Sequence, residues 1–255
     1  EEEEEEEKPI HLILFASGIR RKEAHSLVVS GRVRVNGQVI VDPSVTASPK
    51  DDEISLDDQP VVVERLRYLL VHKPRGVMCI MNDQKEWRGG RPIISSLIPH
   101  TMTERLGDAG RLDLDSEGLV LLTNDQRLKE LIKRPDGACR KIYVVTVKGN
   151  PSEQDLEILR QGNISIGSME KLLPCKMRVL EVIPAKKGEG IRGFTRLEVE
   201  LREGKKNQIR RMLGHIGHRV VRLVRIAIGP LVLEGLHSGE VRELDEAEVK
   251  QMYGQ

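Results

Sequence analysis

The chain has 255 residues, 38% of them hydrophobic and 32% charged, enough for a sizeable core in one domain or two and polar enough to be globular. No run approaches the eighteen consecutive apolar residues of a membrane-spanning helix, and an aromatic content of 2% argues against a nucleic-acid binder built on rows of stacking rings. The formal charge of +1 hides a split: Glu1 to Glu7 is an unbroken acidic run, and without those seven charges the rest of the chain carries +8.

Such an acidic run repels itself, so a disordered tail is expected over 1–8. A small unit follows over 9–60. Residues 10–16 have helical apolar spacing and stop at Ser17-Gly18. A second helix is expected over 20–29, with Ala24, Leu27 and Val28 on one face and Arg20, Arg21, Lys22 and His25 on the other. Residues 32–40 read as a strand, an Asn36-Gly37 turn and a returning strand, a strong short-range hairpin signal. A short strand at 54–56 precedes a linker over 57–64. The basic residues Arg20, Arg21, Lys22, Arg32 and Arg34 fit either a solvated surface or a polyanion contact.

From 66 to 255 the period changes. Strands are expected at 68–72, 77–81, 119–122, 141–147, 177–183, 195–201 and 229–233. Helices fit 126–133, 152–161, 207–216 and 246–251, with a short one in 92–98. Helices and strands mix without strict alternation, which predicts an α+β fold with a largely antiparallel sheet. The three cysteines, Cys79, Cys139 and Cys175, are odd in number and widely spaced. That excludes a disulfide framework and suits a reducing compartment: the cytoplasm, or an organellar stroma or matrix if a transit peptide was removed. The chain opens on Glu rather than Met, which fits a processed form or a fragment. No His/Cys/Asp cluster has metal-ligand spacing, so no metal is expected.

Two stretches carry chemistry. In Gly110-Arg111-Leu112-Asp113-Leu114-Asp115-Ser116-Glu117-Gly118, a glycine-initiated loop with an Arg-x-Asp pair runs into a strand apolar on both faces. That strand must be buried, so the loop is held against the core. An Asp so placed needs a compensating cation, and it reads either as a structural ion pair or cap, or as a functional carboxylate. Between Arg202 and Arg225 stand eight basic residues against the single Glu203, the composition of a polyanion site.

The stretch from Ile19 to Gly37 resembles the S4 RNA-binding domain. The Gly110–Asp113 motif is similar to the catalytic motif of the RNA pseudouridine synthases, in the branch that carries an N-terminal S4 domain and modifies ribosomal RNA. Other motifs match in order: Lys73-Pro74-Arg75-Gly76-Val77, Gly90-Arg91-Pro92, Lys141-x-Tyr143, Glu203 to Met212, and Leu223 to Gly229.

The resemblance implies a small S4-like module followed by a pseudouridine synthase catalytic domain, acting as a monomer on a structured hairpin of ribosomal RNA. Asp113 is then the essential carboxylate, Tyr143 packs against the target base, and Arg210 keeps Asp113 ionised, with Arg111 the next candidate. Leu223 and Lys141 belong to the pocket. Lys205, Lys206, Asn207, Gln208 and Arg211 join Arg20, Arg21, Lys22, Arg32 and Arg34 as RNA contacts. Isomerising uridine changes no redox state and adds no atom, so no cofactor is implied. The target base must be flipped out of its stack to be reached. A non-catalytic RNA-binding or ribosome-assembly factor with the same fold is the alternative.

Overall fold

The computed structural model describes residues 7–63, 65–81, 86–87, 90–99, 102, 104–134, 139–162, 164–167, 171–185 and 193–254. They form two compact units. One is the chain up to Arg67 with the segments 104–106 and 123–127; the other is the remainder.

In the first unit α1 (Ile10–Ala16) and α2 (Arg21–Val29) are followed by β1 (Val33–Val35), β2 (Gln38–Ile40), β3 (Ile54–Leu56) and β4 (Gln59–Pro60). The four strands form one antiparallel sheet in the order β2-β1-β3-β4. Asn36 and Gly37 both take positive φ, 50° and 79°, the geometry that lets a two-residue turn match strand twist. Ile10, Ile13, Leu14, Ala24, Leu27, Val28, Val33 and Ile54 close a shared core. Part of the expected linker is the strand β4.

The elements that lie wholly or mostly in the second unit are β5 (Tyr68–Lys73), β6 (Glu117–Thr123), α3 (Gln126–Lys133), β7 (Lys141–Lys148), α4 (Glu153–Gln161), β8 (Lys176–Ile183), β9 (Phe194–Leu201), α5 (Gln208–His215), β10 (Val220–Ile228), β11 (Val241–Glu243) and α6 (Glu246–Tyr253). The sheet runs β8-β9-β7-β10-β6-β5-β11, with Gly107–Asp108 beside β6 and Leu231–Val232 beside β10. Most pairs are antiparallel; β6 and β10 run parallel. This is a mixed, antiparallel-rich α+β architecture. Helix starts follow local chemistry. The Ser152 hydroxyl accepts from Asp155 N, and Asp245 with Glu248 forms a capping box at α6.

Three sequence expectations need correction. Residues 77–81 are not a strand; Met78 makes an isolated bridge to Ile93, and the segment turns away after Gly76 (φ +83°). The strand expected at 229–233 is cut to Leu231–Val232 because the chain turns at Gly229-Pro230. The long strand β10 was not expected at all. Its Arg222 and Arg225 interrupt the apolar alternation, yet both are accommodated: Arg222 pairs outward with Glu117, while Arg225 is buried. Among the described residues, no helix is long and apolar enough to cross a membrane.

Candidate active site

Every residue of this site lies in the second unit. β6 is buried from Gly118 to Thr123, each inward Leu or Val contributing roughly 1.5–3 kcal/mol, so the loop entering it is anchored at its end. The same loop is held along its length through its main chain. Ala109 N donates to Leu121 O at 2.8 Å, Gly76 N to Leu114 O at 2.9 Å, and Ser116 N closes a turn on Asp113 O at 3.0 Å. Arg225 Nε and Nη2 donate to Leu119 O and Gly110 O at 2.7 and 2.6 Å. Asp113 is thus presented, half-buried, from a rigid turn.

A cleft of about 790 Å³ opens over this turn. Its lining gathers Asp113, Tyr143, Arg210, Arg111, Leu223 and Lys141, together with Lys205, Lys206, Asn207, Gln208 and Arg225. The register explains the floor. Along β7 the residues Lys141, Tyr143, Val145 and Val147 share the buried face. Tyr143 lies opposite Arg225 and Val145 opposite Leu223 on β10, with a bulge between Ile142 and Tyr143. A buried ring, a buried leucine and a carboxylate at the rim form a slot suited to a planar group beside a reacting carbon. Burial pushes the Cys79 and Cys139 thiols up and Cys175 up to about 11, so none supplies a thiolate at neutral pH.

Arg210 lines the same cleft as Asp113 and meets the loop through its main chain. Its Nη2 donates to the main-chain oxygen of Asp115 at 3.0 Å, and among the described residues it makes no ion pair with Asp113. The turn closed by Ser116 N on Asp113 O is the one whose Asp115 carbonyl Arg210 meets. The basic stretch also divides. Arg222 is paired with Glu117 in a two-bond fork at 3.0 Å, which holds the Glu117 carboxyl below its ordinary range. Lys205 reaches Glu203 at 3.4 Å and Lys171 O at 2.8 Å. Gln208 is buried and braces this loop, donating to Glu203 at 2.6 Å and accepting from Lys205 N at 3.0 Å. Asn207 takes the left-handed conformation (φ 55°) at the start of α5. Lys206 and Arg211 are exposed; Arg211 lies outside the cleft lining.

Sequence reasoning placed Lys73 in a motif but gave it no role. Its side chain is 0% exposed, and Nζ donates to Val77 O at 2.7 Å, Pro74 O at 2.9 Å and Leu114 O at 3.4 Å. Burial lowers its pKa to about 8. The folded state therefore gives up this proton before the unfolded chain does, and stability rises with pH above about 8 until the unfolded lysine also titrates. Urea titrations of the parent and Lys73→Met between pH 7 and 10 should show their stability difference shifting in the parent's favour as pH passes 8. A pH-independent difference would show that Lys73 is not held in this depressed state.

A family model for RNA pseudouridylate synthase matches residues 67–215. The chain belongs to the RNA pseudouridylate synthase family. An uncharacterized RNA pseudouridine synthase of Aquifex aeolicus is 35% identical over 245 residues, 96% of this chain and 93% of that one. The ribosomal large subunit pseudouridine synthase B of Bacillus subtilis is 34% identical, over 94% and 93% respectively. The ribosomal small subunit pseudouridine synthase A of Haemophilus influenzae is 30% identical, over 92% and 94%. Among solved structures, a pseudouridylate synthase is similar with a TM-score of 0.66 and 29% identity, covering 96% of this chain and 99% of that one. The protein is therefore an RNA pseudouridine synthase, and the cleft around Asp113 is its candidate active site.

Proposed function

We propose that this synthase converts a specific uridine of ribosomal RNA into pseudouridine, with Asp113 as its essential carboxylate and without a cofactor. The observation that carries the reading is the convergence of Asp113, Tyr143, Leu223 and Arg210 in one cleft. Two relatives named as pseudouridine synthases of the ribosomal large and small subunits match over nearly their whole lengths, and RNA is the component of a ribosomal subunit that contains uridine.

The reaction breaks the C1′–N1 bond, turns the uracil and joins C5 to C1′; the proton lost from C5 ends on N1. Asp113 acts at the sugar, either attacking C1′ or relaying a proton at C2′. Tyr143 holds the detached ring and offers its hydroxyl to the C5 proton. Arg210 steadies the loop through Asp115 O, and Lys206 and Arg211 meet the flanking phosphates. Mapping pseudouridine in ribosomal RNA from cells with and without the protein tests the reading. A uridine modified only when the protein is present supports it; identical maps overturn it and leave the RNA-binding factor as the alternative.

The domain reading is part of the proposal: an S4-like module over 9–60 and a catalytic domain over 66–255. Within the first unit the candidate RNA contacts are unequal. Arg32 is paired with Asp57, and Arg34 lies 3.2 Å from Asp58; Arg21 sits over the Phe15 ring at 5.2 Å. Arg20 and Lys22 are exposed at the start of α2. Replacing both with Gln should weaken binding to long ribosomal RNA. It should also flatten the slope of log affinity against log salt by about one for each phosphate no longer neutralised. An unchanged slope would remove this helix from the RNA interface.

A further inference from the structure

Two buried cations, Lys141 and Arg225, line the cleft and a third, Lys73, meets the loop that carries Asp113; the mechanism above uses none of them. Arg225 is 2% exposed, Lys141 6% and Lys73 0%. Each is satisfied by neutral main-chain oxygens. Arg225 binds Leu119 O and Gly110 O, and Lys141 Nζ binds Ile132 O at 3.1 Å and Cys139 O at 3.4 Å. Lys73 binds the carbonyls already described. Among the described residues none of the three has a carboxylate in ion-pair contact, and Nη1 of Arg225 has no hydrogen-bond partner. Burying a cation is expensive, and carbonyls offset less of that cost than a carboxylate would. The arrangement leaves an uncompensated positive field in the floor of the cleft.

That field has a use only when an anion arrives there. Phosphates remain at the rim, on the exposed basic residues. The group that reaches Tyr143 and Leu223 is the flipped base, and Lys141 and Arg225 flank Tyr143 in the same sheet, one along β7 and the other across on β10. A uridine base is neutral on entry. When the C1′–N1 bond breaks, its electron pair stays with the ring, and the negative charge spreads over N1, O2 and O4. The charge disappears again when C5 bonds C1′ and the C5 proton passes to N1.

Resting on the pseudouridine synthase reading, we propose that Arg225 and Lys141 form a fixed cationic floor that stabilises the uracil anion while it is detached from the sugar. Lys73 positions the loop beneath Asp113. Fixed charges aimed where charge develops favour the transition state over the ground state, and they need no reorganisation during the reaction.

The test compares two substrates: a ribosomal RNA fragment transcribed with uridine and the same fragment with 5-fluorouridine. Fluorine withdraws electrons, so the departing ring carries its charge with less help from the protein. Single-turnover glycosidic cleavage is measured for the parent, Arg225→Gln and Lys141→Met, with RNA affinity and thermal unfolding recorded alongside. On uridine each variant should lose about a hundredfold; on 5-fluorouridine the loss should shrink to less than tenfold. Equal losses on both substrates, in either variant that stays folded and binds RNA, would mean the cation only supports the fold and overturn the proposal. A variant that fails to fold is replaced by Arg225→Lys, whose retained charge should rescue uridine cleavage to within tenfold of the parent; failure of that rescue in a folded protein also overturns it. A parent enzyme that cleaves neither substrate would instead count against the function reading itself.

Discussion

Asp113→Asn should abolish isomerisation, with a fall of at least about four orders of magnitude in single-turnover rate, while RNA affinity stays within about twofold. Asn keeps the volume of the side chain but can neither attack C1′ nor accept a proton at C2′. The loop itself should not move, because its anchors are main-chain groups: Ala109 N, Gly110 O, Asp113 O, Leu114 O and Asp115 O. The variant should therefore unfold at the parental urea concentration, which separates a chemical defect from a structural one. Release of tritium from RNA labelled at uridine C5 is the readout. Parental release by the Asn variant would remove Asp113 from the chemistry, and the rest of the cleft offers no thiolate to take its place.

Helices and short turns were legible because their signals are local. Ser152 and Asp245 cap helices from the adjacent residue, the Asn36-Gly37 pair sets its own turn, and Leu128 with Ile132 marks the inner face of α3. The buried strand β6 was readable for a different reason: four consecutive apolar residues, Leu119 to Leu122, leave no polar face behind the acidic loop. What stayed hidden depends on partners far away in the chain. β10 reads poorly as a strand because its two arginines look like surface residues, and only Glu117 and the carbonyls of Gly110 and Leu119 make room for them. The pairing of Arg210 had the same difficulty. Spacing places it near the loop, but which oxygen it meets is decided by the turn at Ser116. For the site, motif order named Asp113, Tyr143, Arg210 and Gln208, which line one cleft; that the Gln208 amide also bonds Glu203 and Lys205 depends on how the loop folds.

Gly118→Ala should be the most damaging conservative change in the second unit. Gly118 has φ +106°, a region that side-chain-bearing residues rarely occupy, and it sits in parallel register with Arg225. A Cβ there would lie 2.2 Å from Arg225 O, 2.6 Å from its N and 2.9 Å from its C. All three are backbone atoms, so no rotamer change relieves the contact; β6 and β10 would have to part. Backbone strain alone is worth roughly 1–3 kcal/mol, and the forced separation of two central strands adds to it, for a total of about 3–5 kcal/mol. Parting those strands also pulls Arg225 from Gly110 O and Leu119 O, so the Asp113 turn loses its grip together with the fold. Gly217→Ala serves as comparison: its φ is +80°, but a Cβ would meet nothing within 4 Å, and the cost there should be about 1 kcal/mol. Urea midpoints and single-turnover rates for the two variants decide the matter. If Gly118→Ala is as stable and as active as Gly217→Ala, the close approach of these strands is not what holds Asp113 in place.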